Sequence, residues 1–213
     1  MINKIRIIDP VRPRPSLIRE AAAAVKAGGV IAFPTRCLYG LGADALNDAA
    51  VERVFDLKQR PFHKPLLVLI GRKEQLDRLV KSIPPPAACL MEKMWPGRVT
   101  IIFEAQDDLP RQLTGGTGKI GVRLCGHAVA AALTKAVQGP LTGTSANLSG
   151  GPGCSRIADL EPVVAAQLDL ILDAGPLRGG VGSTVVDVTG NYPKVLREGE
   201  VSAEEILALL GRR

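Results

Sequence analysis

Positive charge and glycine-rich turns gather in three segments of this sequence, and together they could bind and activate anionic substrates. In Lys58-Gln59-Arg60-Pro61-Phe62-His63-Lys64-Pro65-Leu66, four basic or potentially basic side chains occupy a proline-stiffened stretch. Lys58 and Arg60, two positions apart, can neutralise neighbouring phosphate oxygens, the arginine through its planar fork and the lysine as a compact charge. A basic residue at a helix end also complements the helix dipole. That accounts for Lys58, but not for a loop that stays basic through Lys64. The second segment, Gly143-Thr144-Ser145-Ala146-Asn147-Leu148-Ser149-Gly150-Gly151, is dense in hydroxyl and amide groups between glycines. Such a loop can hold phosphate or ribose through backbone N–H groups, although taken alone it reads first as a surface turn. It is not a P-loop, because no Gly-Lys-Ser/Thr follows. The third, Pro34-Thr35-Arg36-Cys37-Leu38-Tyr39-Gly40-Leu41-Gly42, leaves a short apolar run and offers the Thr35 and Tyr39 hydroxyls beside glycines. Ligands of α/β proteins bind where strands end, while a plain strand-to-helix loop is the simpler reading.

Weaker signals point the same way. Arg123 and Arg197 lie at the ends of short apolar runs, and Ser183 sits in a glycine-rich entry to another. No Ser-His-Asp or Cys-His set and no paired carboxylates stand out, so positioning and charge, not a protein nucleophile, are the chemistry on offer. With two histidines and four separated cysteines (Cys37, Cys89, Cys125, Cys154), neither a zinc site nor a disulfide framework is expected. His127 reads as the start of a helix rather than as a base.

The elements that must carry these segments follow from apolar periodicity. Short strands are expected at 5–8, 30–33, 66–70, 99–103, 120–124, 141–142, 170–172, 184–188 and 194–196. Helices are expected at 17–26, from Asn47 or Asp48 to Lys58, at 74–80, 87–94 and 127–137, near 157–166, and after a Ser202…Glu205 capping box. Strands and helices interleave, but the late strands are separated only by turns. A twisted, open mixed sheet with flanking helices is therefore expected, in one domain over 1–213.

Composition narrows the classes. At 46% apolar and 23% charged, the chain is an ordinary globular protein. Its net charge of +6 suits phosphate-bearing ligands or contact with RNA, though at 3% aromatic it has few stacking platforms for bases. No apolar run reaches the ~20 residues that span a bilayer and no signal peptide is evident, so a cytoplasmic, membrane-free protein without structural metal is expected.

In order along the chain, P-T-x-x-x-Y-G-L-G (34–42), K-Q-R-P-x-x-K-P-L (58–66), Trp95-Pro96-Gly97, G-V-R (121–123), T-S-A-N-L-S-G (144–150), S-T-V-V-D (183–187) and Leu196-Arg197-Glu198-Gly199 together resemble the YrdC-like threonylcarbamoyl-AMP synthases, in their short, single-domain form. The resemblance implies a concave basic cleft and the condensation of L-threonine, bicarbonate and ATP to threonylcarbamoyl-AMP and pyrophosphate. Tyr39, Thr35, Arg123 and Ser183 would hold threonine or its carbamate. Lys58 and Arg60 would be catalytic and, with Lys64, Ser145, Asn147 and Arg197, would bind ATP, whose phosphates would bring Mg2+. Proteins that transfer threonylcarbamoyl to tRNA would be partners, with tRNA or double-stranded RNA as a further contact. This chain departs from the family pattern at Arg36, where an acidic residue is usual, at Arg98, where proline is more usual, and in the 66–70 strand, where many members carry a histidine. A relative using another amino acid or carbamoyl acceptor, and an RNA-binding module of the same fold, are the alternative expectations.

Overall fold

A computed structural model describes residues 4–211. The strands are β1 (Ile5–Ile7), β2 (Ile31–Pro34), β3 (Tyr39–Gly42), β4 (Leu67–Ile70), β5 (Val99–Glu104), β6 (Lys119–Leu124), β7 (Leu141–Thr142), β8 (Thr144–Ser145), β9 (Leu170–Asp173), β10 (Thr184–Asp187) and β11 (Lys194–Arg197). The helices are α1 (Pro15–Lys26), α2 (Asp48–Lys58), α3 (Pro85–Met94), α4 (Arg111–Thr114), α5 (Ala128–Val137), α6 (Pro162–Gln167) and α7 (Ala203–Leu209).

Mixed α/β architecture with flanking helices is as expected, but the strands divide into two sheets rather than one. The first has five strands in the order β1-β9-β2-β3-β8; the second has six, in the order β11-β10-β5-β6-β4-β7. Each combines parallel and antiparallel pairs. The split follows from segment 34–42, which does not leave the sheet as a loop. It turns back as β3 and pairs antiparallel with β2, Ile31 opposite Gly42 and Pro34 opposite Tyr39. β3 then accepts β8 along its other edge. Gly42 permits this pairing: a Cβ there would lie 2.7 Å from the Phe33 ring.

Local chemistry sets the helices. α1 opens on Pro15, whose missing N–H costs nothing in a first turn, and buries Ile18, Ala21, Ala22 and Val25 at helical spacing before Gly28 turns left-handed at φ 81°. The alanines let α1 pack closely on α5 in an apolar layer with Ile31, Phe33, Leu170 and Leu172 of the first sheet. A larger cluster, including Val54, Leu90, Ile101 and Val122, fills the space around the second. Expected helix 74–80 is a 3-10 segment, Lys73–Arg78, and α4 is an element the periodicity did not announce because it is one turn long. Ser202 caps α7 by accepting the Glu205 N–H at 3.1 Å. No reciprocal bond completes the box among the described residues; the Glu205 carboxylate lies 3.5 Å from Arg98 instead.

Candidate functional site

Residues from both sheets line one cavity of about 300 Å3. The β2–β3 turn (Thr35 to Leu38) and β8 form one wall. Leu67 of β4, Arg123 of β6, Ser183 before β10, and Arg197 of β11 form the other, with Arg60 at the edge. Four arginines face this space, Arg36, Arg60, Arg123 and Arg197, against one carboxylate, Glu200. Its character is cationic, as the sequence suggested.

Sequence-chosen residues divide into those that face the cavity and those that hold its walls. Lys58 belongs to the second group. At the end of α2, Gln59 adopts a left-handed conformation (φ 49°), and the Arg60 N–H bonds back to Phe55 O at 2.9 Å. This turn leaves Lys58 buried, at 1% exposure, while Arg60 reaches the cavity edge. The Lys58 ammonium donates to Ser145 O (2.5 Å), Asn147 O (2.6 Å) and Asn147 Oδ1 (3.4 Å), and its carbonyl accepts the Ser149 N–H at 2.8 Å. The two segments singled out from sequence therefore meet, with Lys58 as the strut between them. Asn147 is also part of the strut. Its Nδ2 donates to Leu148 O (2.5 Å) and Gly151 O (2.7 Å), while its Oδ1 accepts from the Ser145 hydroxyl.

Burial pulls the Lys58 pKa down to about 8, with Arg60 adding repulsion. Below about pH 8 folded and unfolded chains both hold the proton. Between about 8 and the usual 10.5, the folded chain releases it while the unfolded chain keeps it, so this group's contribution to stability rises with pH. Lys58→Met is expected to destabilise by about 2–4 kcal/mol near neutral pH, because two carbonyls lose their donor. The gap should widen by ~2 kcal/mol toward about pH 10. Urea denaturation of both proteins across that range measures it; a gap that narrows would contradict the lowered pKa, and a Lys58→Met protein as stable as the wild type near neutral pH would contradict the strut.

Tyr39 is buried where it borders the cavity, and its hydroxyl is used within the protein. Its hydroxyl lies 2.7 Å from Gly175 O and 3.1 Å from Asp173 Oδ1 and accepts the Ala174 N–H at 2.9 Å, tying β3 to the end of β9. Burial raises its pKa. The Thr35 hydroxyl donates to Leu38 O at 2.6 Å and shapes the turn. Ser183 shares a hydrogen bond with Thr100 (2.7 Å), and Arg197 donates to Ser183 O (2.8 Å) at the rim. Arg60 uses Nε and Nη2 to close its own loop onto Lys64 O and Pro65 O, both at 2.9 Å, while Lys64 itself is exposed and lies outside the cavity lining. His127 caps α5, its Nδ1 accepting the Val129 N–H at 3.2 Å.

Arg123 differs from all of these. It projects from the carboxyl end of β6, a central strand between β5 and β4. Among the described residues no hydrogen bond or ion pair reaches its guanidinium. Burial pushes its pKa below the usual arginine value, with Arg197 adding to the effect, yet an arginine remains charged in proteins. A half-buried cation without an internal partner is open to an anion entering the cavity. Beside it a recess of about 10 Å3, lined in part by Leu69, Cys125 and His127, has room for about one methyl or hydroxyl group.

Sequence reading did not identify Glu200 as part of this site. Its carboxylate engages Arg36 Nε at 3.0 Å and Arg178 Nη1 at 3.2 Å. The usable signal was Arg36 itself, a cation that needs a partner, but nothing in the sequence says that the partner lies so far along the chain, after β11.

Comparison with known proteins agrees with this geometry. A threonylcarbamoyl-AMP synthase of Pyrococcus abyssi is 39% identical over 194 residues, which cover 91% of this chain and 57% of that protein. A putative threonylcarbamoyl-AMP synthase of Mycobacterium tuberculosis is 37% identical over 203 residues, covering 95% of this chain and 93% of that protein. The crystal structure of P. abyssi Sua5 complexed with L-threonine superimposes with a TM-score of 0.91 at 37% identity, over 98% of this chain and 61% of that one. The chain thus spans 57% of the length of the P. abyssi protein. The Sua5/yciO/yrdC family model, described as Telomere recombination, matches residues 23–199. The two-sheet cleft, the motifs that wall it and this match over most of the chain make the protein a member of the Sua5/YciO/YrdC family.

Proposed function

We propose that the chain is an L-threonylcarbamoyladenylate synthase, a nucleotidyltransferase that condenses L-threonine, bicarbonate and ATP to threonylcarbamoyl-AMP and pyrophosphate. The observation that carries this reading is the unpartnered Arg123 guanidinium inside a cavity walled by further arginines and hydroxyls. In the reaction, the threonine amine attacks bicarbonate carbon and water leaves, giving a carbamate. A carbamate oxygen then attacks the ATP α-phosphorus, and the bond to the β-phosphate breaks to release pyrophosphate. Both partners of the second step are anions, so the site must suppress their repulsion and stabilise charge building at phosphorus.

On this reading Arg123 takes the threonine carboxylate through its fork, and the small recess beside it favours a short side chain. Thr35 and Ser183 border the same end. Arg60, Arg197 and Ser145 face the nucleotide, and Lys64, exposed on the 58–66 loop, closes on its outer phosphates. Lys58, Asn147 and Tyr39 act through the walls: they fix the 145–151 loop and the β3 strand against which the nucleotide lies. Among the described residues no group of three His, Cys, Asp or Glu gathers as a metal cage; magnesium travels on the ATP phosphates. We take residues 1–213 as one catalytic unit working in the cytoplasm, whose product passes to tRNA threonylcarbamoyl-transfer proteins, tRNA or double-stranded RNA meeting the basic face. None of its described helices is long and apolar enough to cross a membrane.

The deciding experiment is pyrophosphate release by the purified chain from ATP, screened across amino acids with and without bicarbonate. Release is expected only when L-threonine and bicarbonate are both present. Release with a different amino acid, or without bicarbonate, would replace this reading with that of a relative of different specificity.

A further inference from the structure

The cations of the cavity have an obvious use; its one acid does not. Glu200 is the sole carboxylate lining the cavity among the described residues, and its side chain is only 10% exposed. Three neighbours converge on a single oxygen: Arg36 Nε at 3.0 Å, Arg178 Nη1 at 3.2 Å and the Cys37 thiol at 3.5 Å all meet Oε1. No hydrogen bond among the described residues ends on Oε2. Among the described residues no fully buried side-chain oxygen lacks a partner, so Oε2 keeps access to the cavity and is open to a donor arriving there. Arg123 lines the same cavity.

We propose that Glu200 is a positioning and specificity residue, its Oε2 accepting the α-amino group of the amino-acid substrate whose carboxylate is held by Arg123. The inference rests on the amino-acid reading above and adds a residue to it. An amino acid presents its carboxylate and amine from one carbon, so a site that reads both needs a cation and an acceptor within a few ångströms. Four arginines alone would repel an incoming ammonium; one fixed carboxylate offsets them locally. The same acceptor serves after carbamate formation, because the nitrogen keeps one N–H. Arg36 and Arg178 hold the carboxylate in one orientation before substrate arrives, which lowers the entropy lost on binding.

Glu200→Gln tests this sharply. Because two guanidinium groups require an acceptor at Oε1, the amide must set its NH2 where Oε2 was, turning an acceptor into a donor. Binding of L-threonine and of β-hydroxybutyrate, which keeps the carboxylate and hydroxyl but lacks the amine, is measured by ligand-observed NMR. Glu200→Gln is expected to weaken L-threonine about tenfold or more and to leave β-hydroxybutyrate within about twofold. Arg178→Met, which removes one arm of the clasp and spares Oε2, should preserve the wild-type preference for the amine-bearing ligand. Equal loss of both ligands in Glu200→Gln would make Glu200 a clasp between segments and overturn the proposal, as would unchanged L-threonine binding. A wild-type protein that binds no amino acid would instead overturn the functional reading on which the proposal stands.

Discussion

Replacing Arg123 with methionine is expected to cut amino-acid-dependent pyrophosphate release by about 10²–10³-fold while leaving the folded chain no less stable. The two halves of this result have separate causes. Activity falls because a charge-assisted, two-pronged contact to a carboxylate is lost in a partly desolvated cavity, where truncating one member of such a pair typically costs several kcal/mol. Stability does not fall because no described residue loses a bond when the guanidinium goes, and a half-buried charge without a partner contributes little to the fold. Arg123→Lys keeps the charge but loses the planar fork, so its rate should lie between the two. Steady-state kinetics with threonine as the varied substrate, paired with thermal melts, check both halves. A variant that melts well below the wild type would mean that Arg123 braces the sheet and is not reserved for a ligand.

This separation between residues that face the ligand and residues that hold the wall was not legible in the sequence. Lys58, Arg60, Ser145 and Asn147 announced themselves by type and spacing, and their segments do meet at one cavity. Spacing could not say which way each side chain turns. One left-handed residue, Gln59, decides that Lys58 goes inward and Arg60 stays at the edge, and left-handed glutamine has no sequence signature. The strands themselves were readable as short apolar runs, because burial on both faces leaves that trace. Their assignment to two sheets was not, since it depends on β3, whose Tyr-Gly-Leu-Gly looks like a loop until Phe33 is seen lying over Gly42. Glu200 shows the same limit at long range. Its meaning comes from Arg36 and Arg178, brought together only by the folded chain.

A second large effect is expected away from any ligand, at Gly199. The chain leaving β11 crosses the backbone entering β10 at very short range: a Cβ on residue 199 would collide with Gly182 O and lie 2.5 Å from Ser183 C and 2.6 Å from Thr184 N. All three are backbone atoms, so no rotamer change relieves the contact. The crossing is also heavily bonded. The Gly199 and Val201 N–H groups donate to Thr184 Oγ1 at 3.0 Å, the Thr184 hydroxyl donates to Val201 O at 2.5 Å, and the Glu200 N–H meets Gly182 O at 3.0 Å. Gly199→Ala must therefore push two strands apart and break part of this set, which should destabilise by about 3 kcal/mol or more and lower the melting temperature by roughly 6–12 °C for a chain of this size. Gly150→Ala is the informative control. That residue has a left-handed φ of 91° but open space around it, so only backbone strain of about 1–2 kcal/mol should appear. Because Arg197 and Glu200 flank Gly199, the Gly199→Ala variant should also lose activity at temperatures where it is still folded. A Gly199→Ala protein that melts within about 2 °C of the wild type would mean that the two strands do not cross as closely as the fold requires.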